Sequence, residues 1–355
     1  MAEILHIDGS EGEGGGQILR TALALSMVTG RPFAIRNLRA GRRKPGLRPQ
    51  HLACVKAAAK VSGAQVEGAA LGSRTVRFAP SAVRPGTYRF DIRTAGSTSL
   101  LLQTLSLPLA LEPSRSVVTL GGGTHVPFSP SFHFLRHQWA SLLRRMGIEV
   151  ELTLSQAGYY PEGGGQVRAK ILPARSVDPL ELGSRGPLER LEGVSAVSNL
   201  PRSIAERQRR QALARLEAAG LHAGIEIAEL PSPGKGTVLH LLSCYRGGGR
   251  AAFDALGARG KRAEQVADEA CDALLGFLGT AGAVDAHSAD QLLLALALAS
   301  APSRFPVPCI TTHLVTNARV IERFVDATVV LEGEVGGEGA VAVTPHRASE
   351  RCDGA

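Results

Sequence analysis

The 355-residue chain has only four tyrosines and one tryptophan, so few side-chain stacking platforms are expected on its surface. Its five cysteines, Cys54, Cys244, Cys271, Cys309 and Cys352, are scattered, odd in number and never in a CxxC pair. That excludes a disulfide framework and a cysteine zinc cluster, and predicts reduced thiols. No uncharged apolar run is long enough to span a bilayer. The opening residues, MAEILHIDGSEGEG, lack the basic and apolar regions of a signal peptide. A cytoplasmic protein without a membrane anchor is therefore expected. Lysine is scarce too, six of the 40 basic residues, so the net charge of +8 is carried by arginine, the residue suited to planar, bidentate phosphate contacts. The segment PGKGT lacks the GxxxxGK[ST] spacing, which excludes a P-loop.

What the chain does have is concentrated near its start. From Asp8 to Ser26, DGSEGEGGGQILRTALALS places glycines, acids and Arg20 at the entrance of an apolar helix. Glycines let backbone N–H groups approach an anion closely, whereas Glu11 and Glu13 are too acidic for a loop that merely holds a free phosphate. Metal or hydroxyl chemistry nearby is the reading that accommodates both. A second concentration follows in RNLRAGRRKPGLR, Arg36 to Arg48, where six of thirteen residues are Arg or Lys and Gly and Pro mark a loop. Such a loop favours a polyanionic partner.

Strand-like and helix-like segments alternate along the chain, which predicts an α/β (α+β) fold. ILHID, PFAIRNL, TVRFA, YRFDIR, SVVTL and IEVELTL read as strands. Helices are predicted after Gly16, from 50 to 61, from near Ser99, and from Ser131 to Met146, with Gly30, Gly63 and Gly147 as stops. EGGGQ occurs at Glu13–Gln17 and again at Glu162–Gln166, suggesting repeated αβ units, although the first copy leads into a helix and the second into a strand. Residues 185–279 differ in texture and read as a compact βαβ-β-β-α insert. Its first helix is introduced by Ser203 with Glu206 at capping-box spacing, and its last carries the stripe Val266, Ala270, Ala273, Leu274, Phe277 and Leu278. The expected division is 1–184 and 280–343 as two parts of one large domain, 185–279 as an insert, and 344–355 as a flexible tail. HSADQLLLALALAS reads as a helix, and FPVPCITTH as a strand ending at His313, with Asn317 as the cap of the next helix. His133 and His137, four apart on a helix, have zinc-ligand spacing but no HExxH pattern and no evident third ligand.

Six colinear segments, DGSEGEGGGQILR, RAGRRKPGLRPQHL, TAGSTSLLLQTL, GYYPEGGGQV, ADQLLLALALA and THLVTNARVIERF, together resemble the RNA 3′-terminal phosphate cyclases. The resemblance implies a large domain of repeated helix-and-sheet units, also seen in enolpyruvyl transferases, with a smaller α/β insert. It implies an ATP-dependent enzyme that adenylylates its own histidine, passes AMP to an RNA 3′-phosphate, and lets the vicinal 2′-hydroxyl displace AMP to give a 2′,3′-cyclic phosphodiester. The nucleophile falls on His313. Arg20, Arg42 and Arg39 with a divalent cation, Mg or Mn, would neutralise the meeting anions, and Glu13 is the expected metal ligand. Gln103 and the run His287, Ser288, Ala289, Asp290 and Gln291 match the adenylate pocket, and Gln50 is a substrate contact beside the arginine loop. His287 stands where familiar members have tyrosine, a departure that bears on nucleotide preference. The implied partner is RNA with a 3′-terminal phosphate; nothing in the sequence specifies an oligomer. A non-catalytic relative acting in ribosome assembly would lack the nucleophile, and THLVTN argues against it. The insert and the same motif weigh against an enolpyruvyl transferase, and RNA affinity without turnover would mark a pure RNA-binding module.

Overall fold

The structure is a computed structural model that describes residues 3–346. Glycine and proline punctuation divides the apolar sequence into short strands and helices, which assemble into one recurring unit. In the first copy, β1 (Leu5–Asp8), α1 (Gln17–Thr29), β2 (Phe33–Arg36), α2 (Pro49–Ser62), β3 (Gln65–Glu67) and β4 (Val76–Ala79) give a sheet of order β1-β2-β4-β3. The β1–β2 pair is parallel, joined by the crossover helix that parallel pairing requires, and the other pairs are antiparallel. Helix α1 stops where Gly30 turns left-handed at φ 71°, a backbone conformation that glycine adopts far more readily than residues with a side chain.

The second copy repeats this order. β5 (Thr87–Asp91), α3 (Thr98–Ala110), β6 (Ser116–Gly122), β7 (Val150–Gln156) and β8 (Gly165–Ile171) form the sheet β5-β6-β8-β7. Its second helix is α4 (Phe132–Phe134), continued by a π-turn over Leu135–Trp139 and by α5 (Ala140–Arg145).

Next come β9 (Leu188–Ser198), α6 (Arg202–Ala218), β10 (Gly224–Glu229), β11 (Gly236–Tyr245), β12 (Arg250–Leu256) and α7 (Ala263–Leu278). They make a sheet β10-β9-β11-β12 with an apolar cluster of its own, in which Leu216, Leu239, Leu241 and Leu274 are fully buried. Helix α6 begins one residue before Ser203, so the expected capping box is not formed; Glu206 pairs instead with Arg202 one turn back.

The last copy contains α8 (Ala286–Leu296), β13 (Ser303–Val307), α9 (Thr312–Phe324), β14 (Ala327–Glu332) and β15 (Gly339–Pro345), with sheet order β13-β15-β14. Its missing first strand is supplied by residues 180–182. Glu181 bridges Arg304 in parallel, the Leu182 N–H donates to the Arg304 carbonyl at 2.9 Å, and the Arg304 N–H to the Leu180 carbonyl at 3.2 Å. Residues 185–279 therefore lie between the first strand and first helix of the third unit. Thr344 and Pro345 belong to β15, so the structured chain runs past the expected start of the tail; residues 347–355 lie outside the described residues.

The three units share one core. Leu19, Leu23, Leu101, Leu105, Leu292, Leu296 and Ile321, from α1, α3, α8 and α9, are completely buried in it. Shortening one such leucine to alanine costs about 2–5 kcal/mol. This core fixes the four helices whose ends carry the site. Among the described residues no helix is long and apolar enough to cross a membrane. The two EGGGQ segments occupy different places, the first between β1 and α1 and the second in the β7–β8 hairpin, so the echo is a shared turn and not a mark of the repeat.

Candidate active site

His313 does not end a strand. β13 stops at Val307, and the Thr311 hydroxyl accepts the Leu314 N–H at 3.0 Å, capping α9 so that His313 lies in its first turn. Asn317 is not a cap but a buried side chain further along α9, accepting the Thr21 hydroxyl at 2.7 Å and donating to the Asp290 carbonyl at 2.9 Å. These bonds lock α9 to α1 and α8.

The loop between β1 and α1 is strapped onto the same helix. Gly12, at φ 58°, lies against Thr316, whose hydroxyl would clash with any Cβ there and accepts the Glu13 N–H at 3.3 Å. Glu11 pairs with Arg323 at 2.9 Å. Glu13 is thereby brought to His313, with Oε2 at 2.6 Å from Nδ1 as a close charge contact; among the described residues this buried oxygen has no aligned hydrogen-bond partner. The other carboxylate oxygen pairs with Arg42. No side chain caps α1, so its first-turn N–H groups remain available to an anion.

Gln17, the first residue of α1, completes the constellation, and sequence reasoning noted it only as the end of EGGGQ. Its Oε1 lies 2.6 Å from His313 Nδ1 while its amide nitrogen donates to the Asp290 carboxylate. A carboxylate accepts only, so the Gln17 NH₂ must face Asp290 and the amide oxygen must face the imidazole. His313 Nδ1 then hydrogen-bonds to an acceptor, Gln17 Oε1, with the Glu13 carboxylate close beside it, and carries the proton. In the neutral ring the lone pair is consequently on Nε2. Burial raises the Asp290 carboxyl above the usual range, while His313 and the Gln17 amide pull it back down.

Arg20, one turn along α1, is lowered from its ordinary value by burial, with Asp290 and Glu13 among the charges opposing the shift. His51 lies beneath Gly16, where its Nε2 leaves no room for a Cβ. Burial, then Arg20, Arg39 and Arg48, pushes His51 down to about 3, so it adds no charge at neutral pH.

The remaining residues separate into two groups. The Gln103 amide on α3 donates to Gln291 Oε1 at 2.5 Å, which joins Gln291 and its neighbour Asp290 to the same ring of helices. His287 is exposed on α8 and its charge acts on Asp290. The structure does not bring Ser288 and Ala289 to the cluster. Ala289 is completely buried in the core, and Ser288 is held in the N-cap of α8 by Asp285, to which its hydroxyl donates at 2.7 Å. Arg39, at φ 54°, turns its guanidinium onto its own loop, donating to the carbonyls of Lys44 at 2.7 Å and Gly46 at 3.1 Å. Gln50 faces the second unit and accepts the Ser97 N–H at 3.0 Å.

Glu13 and Gln17 follow β1, Arg42 follows β2 and His313 follows β13, so the cluster gathers loops from the carboxyl ends of strands, where open α/β sheets present ligand sites. A neutral imidazole with its lone pair fixed outward, two arginines and an uncapped helix start are the components of nucleophilic attack on a phosphate.

A family model described as RNA 3′-terminal phosphate cyclase matches residues 11–331. An RNA 3′-terminal phosphate cyclase of Methylococcus capsulatus is 46% identical over 348 residues, covering 96% of each chain. Proteins of the same description from Nostoc punctiforme and Archaeoglobus fulgidus are 42% and 43% identical. They cover 90% and 93% of this chain, and 94% and 98% of their own.

Proposed function

The chain belongs to the RNA 3′-terminal phosphate cyclase family and is an enzyme that cyclises RNA 3′-phosphate ends, and we propose that it does so with ATP through an adenylylated His313. The observation that carries this reading is the Asp290–Gln17–His313 relay, which leaves Nε2 as the nucleophile. Nε2 attacks the α-phosphorus of ATP, a P–N bond forms, and pyrophosphate leaves with the electrons of the broken P–O bond. As the ring becomes cationic, its Nδ1 proton stays directed at the Gln17 oxygen, with the Glu13 carboxylate beside the ring offsetting the new charge. An oxygen of the RNA 3′-phosphate then attacks the same phosphorus and the P–N bond breaks, returning the imidazole. Finally the neighbouring 2′-hydroxyl loses its proton and attacks the 3′-phosphorus, releasing AMP and closing the ring.

Arg20, Arg42 and the start of α1 offset the charge that builds as two anions meet. Gln103 and Gln291, with exposed His287, are the groups proposed for the adenosine, and Gln50 and Arg39 for shaping the RNA side. A hard divalent cation, Mg or Mn, fits Glu13 Oε2, a buried carboxylate oxygen that has no hydrogen-bond partner among the described residues, and the substrate phosphates suit the remaining positions. When bound, such an ion supplies charge neutralisation. The separate sheet and apolar cluster support 185–279 as an inserted domain within a body formed by 1–184 and 280–343. Cys54, Cys244, Cys271 and Cys309 are free thiols, consistent with a cytoplasmic setting.

The test is incubation with ATP labelled at the α-phosphate and a divalent cation, followed by denaturing electrophoresis. An acid-labile, base-stable label is expected on the wild type and not on His313→Ala. Retained label in that variant would remove His313 from the role.

A further inference from the structure

The three copies of the unit each carry a loop between the second strand and the second helix. In the first copy it is the basic loop with Arg42, and in the third it leads directly to His313. The corresponding loop of the second copy, between β6 and α4, presents Phe128. This ring is fully exposed, at 104% of its reference accessibility, and its backbone is left-handed at φ 62°, a strained state for a bulky residue. The β7–β8 loop lies alongside: the N–H groups of Thr124 and His125 both donate to the Gly158 carbonyl, and His125 bridges Tyr159. Its next residue, Tyr160, is 71% exposed. Two of the chain's few aromatic rings thus stand in water on neighbouring loops, at the same end of the repeat as the active-site loops.

Between them and the cluster, contacts run through the loop that links β5 to α3. Ser97 bridges Gly123 and donates its N–H to Gln50, at the start of α2, while Gly163 packs against Thr94 and Ala95. Arg93, in that linking loop, and Arg43, Lys44 and Arg48, beside Gln50, are exposed and in no ion pair among the described residues. Aromatic faces next to unpaired cations are the features that hold single-stranded RNA.

We propose that Phe128 and Tyr160 form a stacking platform for bases upstream of the RNA 3′-terminal nucleotide, with Arg93 and the basic loop following the backbone toward His313. The proposal rests on the RNA-cyclising reading and deepens it. It makes the enzyme read the strand by its π-faces, tolerant of base identity, and gives oligonucleotides an advantage over a mononucleotide.

The experiment compares the full-length wild type with Phe128→Ala, Tyr160→Ala and Phe128→Trp. Substrates are a nucleoside 3′-phosphate, a short 3′-phosphorylated oligoribonucleotide, and the same oligomer with abasic sites upstream of its last nucleotide. Both alanine variants should raise KM for the intact oligomer by about 5- to 100-fold. Values of kcat, KM for the mononucleotide and labelling of His313 by ATP alone should not change. Phe128→Trp should restore the wild-type KM, and the abasic oligomer should not distinguish the variants. Unchanged oligomer KM in both alanine variants overturns the platform, as does an equal loss with the mononucleotide, which would place the rings at the reacting end. Oligomer binding by fluorescence anisotropy keeps the two readings separable. Failure of ATP labelling in the wild type counts against the histidine chemistry alone, whereas unaltered affinity in the alanine variants counts against the platform alone.

Discussion

At the scale of single residues, the orientation of one amide decides which nitrogen of the neutral His313 ring bears the lone pair. Asp290→Asn removes the acceptor-only partner of Gln17, so the Gln17 amide is free to reverse and present NH₂ to His313 Nδ1. That orientation favours the tautomer with the proton on Nε2, which has no lone pair to attack phosphorus. The rate of His313 adenylylation should fall on the order of 10²–10⁴-fold with little loss of thermal stability. Single-turnover labelling measures the rate, and nitrogen NMR of the ring reports the tautomer; an unaltered rate would remove the relay. The sequence reveals Glu13, Arg42 and His313 because a Gly-rich acidic loop, a dense basic loop and the THLVTN segment stand out locally. It conceals Gln17 because an amide acquires its role here only from two partners 296 and 273 residues away along the chain.

At the scale of elements, the second unit meets the sheet of residues 185–279 through a cluster of imidazoles. His125 Nε2 and His133 Nδ1 are 2.9 Å apart, the His133, His137 and His240 rings are neighbours, and His240 Nδ1 lies 2.6 Å from Asp254. Arg136 and Arg250 add positive charge around them. Burial above all holds His125 and His137 at about 4, and His133 well below its ordinary value of 6.5. Their folded-state affinity for protons is below that of the unfolded chain, so folding stability is intact above about 6.5 and declines as pH falls toward about 4. For completely buried His125 the slope is up to about 1.4 kcal/mol per pH unit. Urea melts at successive pH values should show this decline, and His125→Gln should make it shallower. The spacing of His133 and His137 suggested ligands at the outset, yet among the described residues no group of three is placed to hold a metal ion. Element boundaries were legible where glycine stops a helix, as at Gly30 and Gly63. They were misleading at CITTH, where β-branched residues imitate a strand although the Thr311 hydroxyl begins a helix.

At the scale of the whole molecule, residues 185–279 should be removable. The Arg185 guanidinium donates to the carbonyls of Phe277 and Leu278 at 3.0 and 2.7 Å, so the two ends of this segment are side by side. Replacing it with a short Gly/Ser linker should leave a body that still unfolds cooperatively. Its Tm should be lower, because Leu242, Cys244 and Ala252 contribute to the main core. A broad, non-cooperative melt followed by circular dichroism would show that the segment is integral to the body. The alternation of strand and helix made the fold class readable from sequence. The register of the repeat was not, since its third copy borrows residues 180–182 across an interruption of about a hundred residues.

Each of the first two units closes its own sheet and contributes helices to a common interior, so the link between β4 and β5 is a natural place to divide the chain. A break there leaves Glu13 and Gln17 on one polypeptide and His313 on the other. Neither half alone carries His313 together with the groups that fix its ring proton. Co-expressed halves, brought together by helix α1 burying itself against α3 and α9, should recover nucleotide labelling only on reassembly. The protein is in this sense a split enzyme that reports its own complementation, and labelling by either isolated half would contradict that.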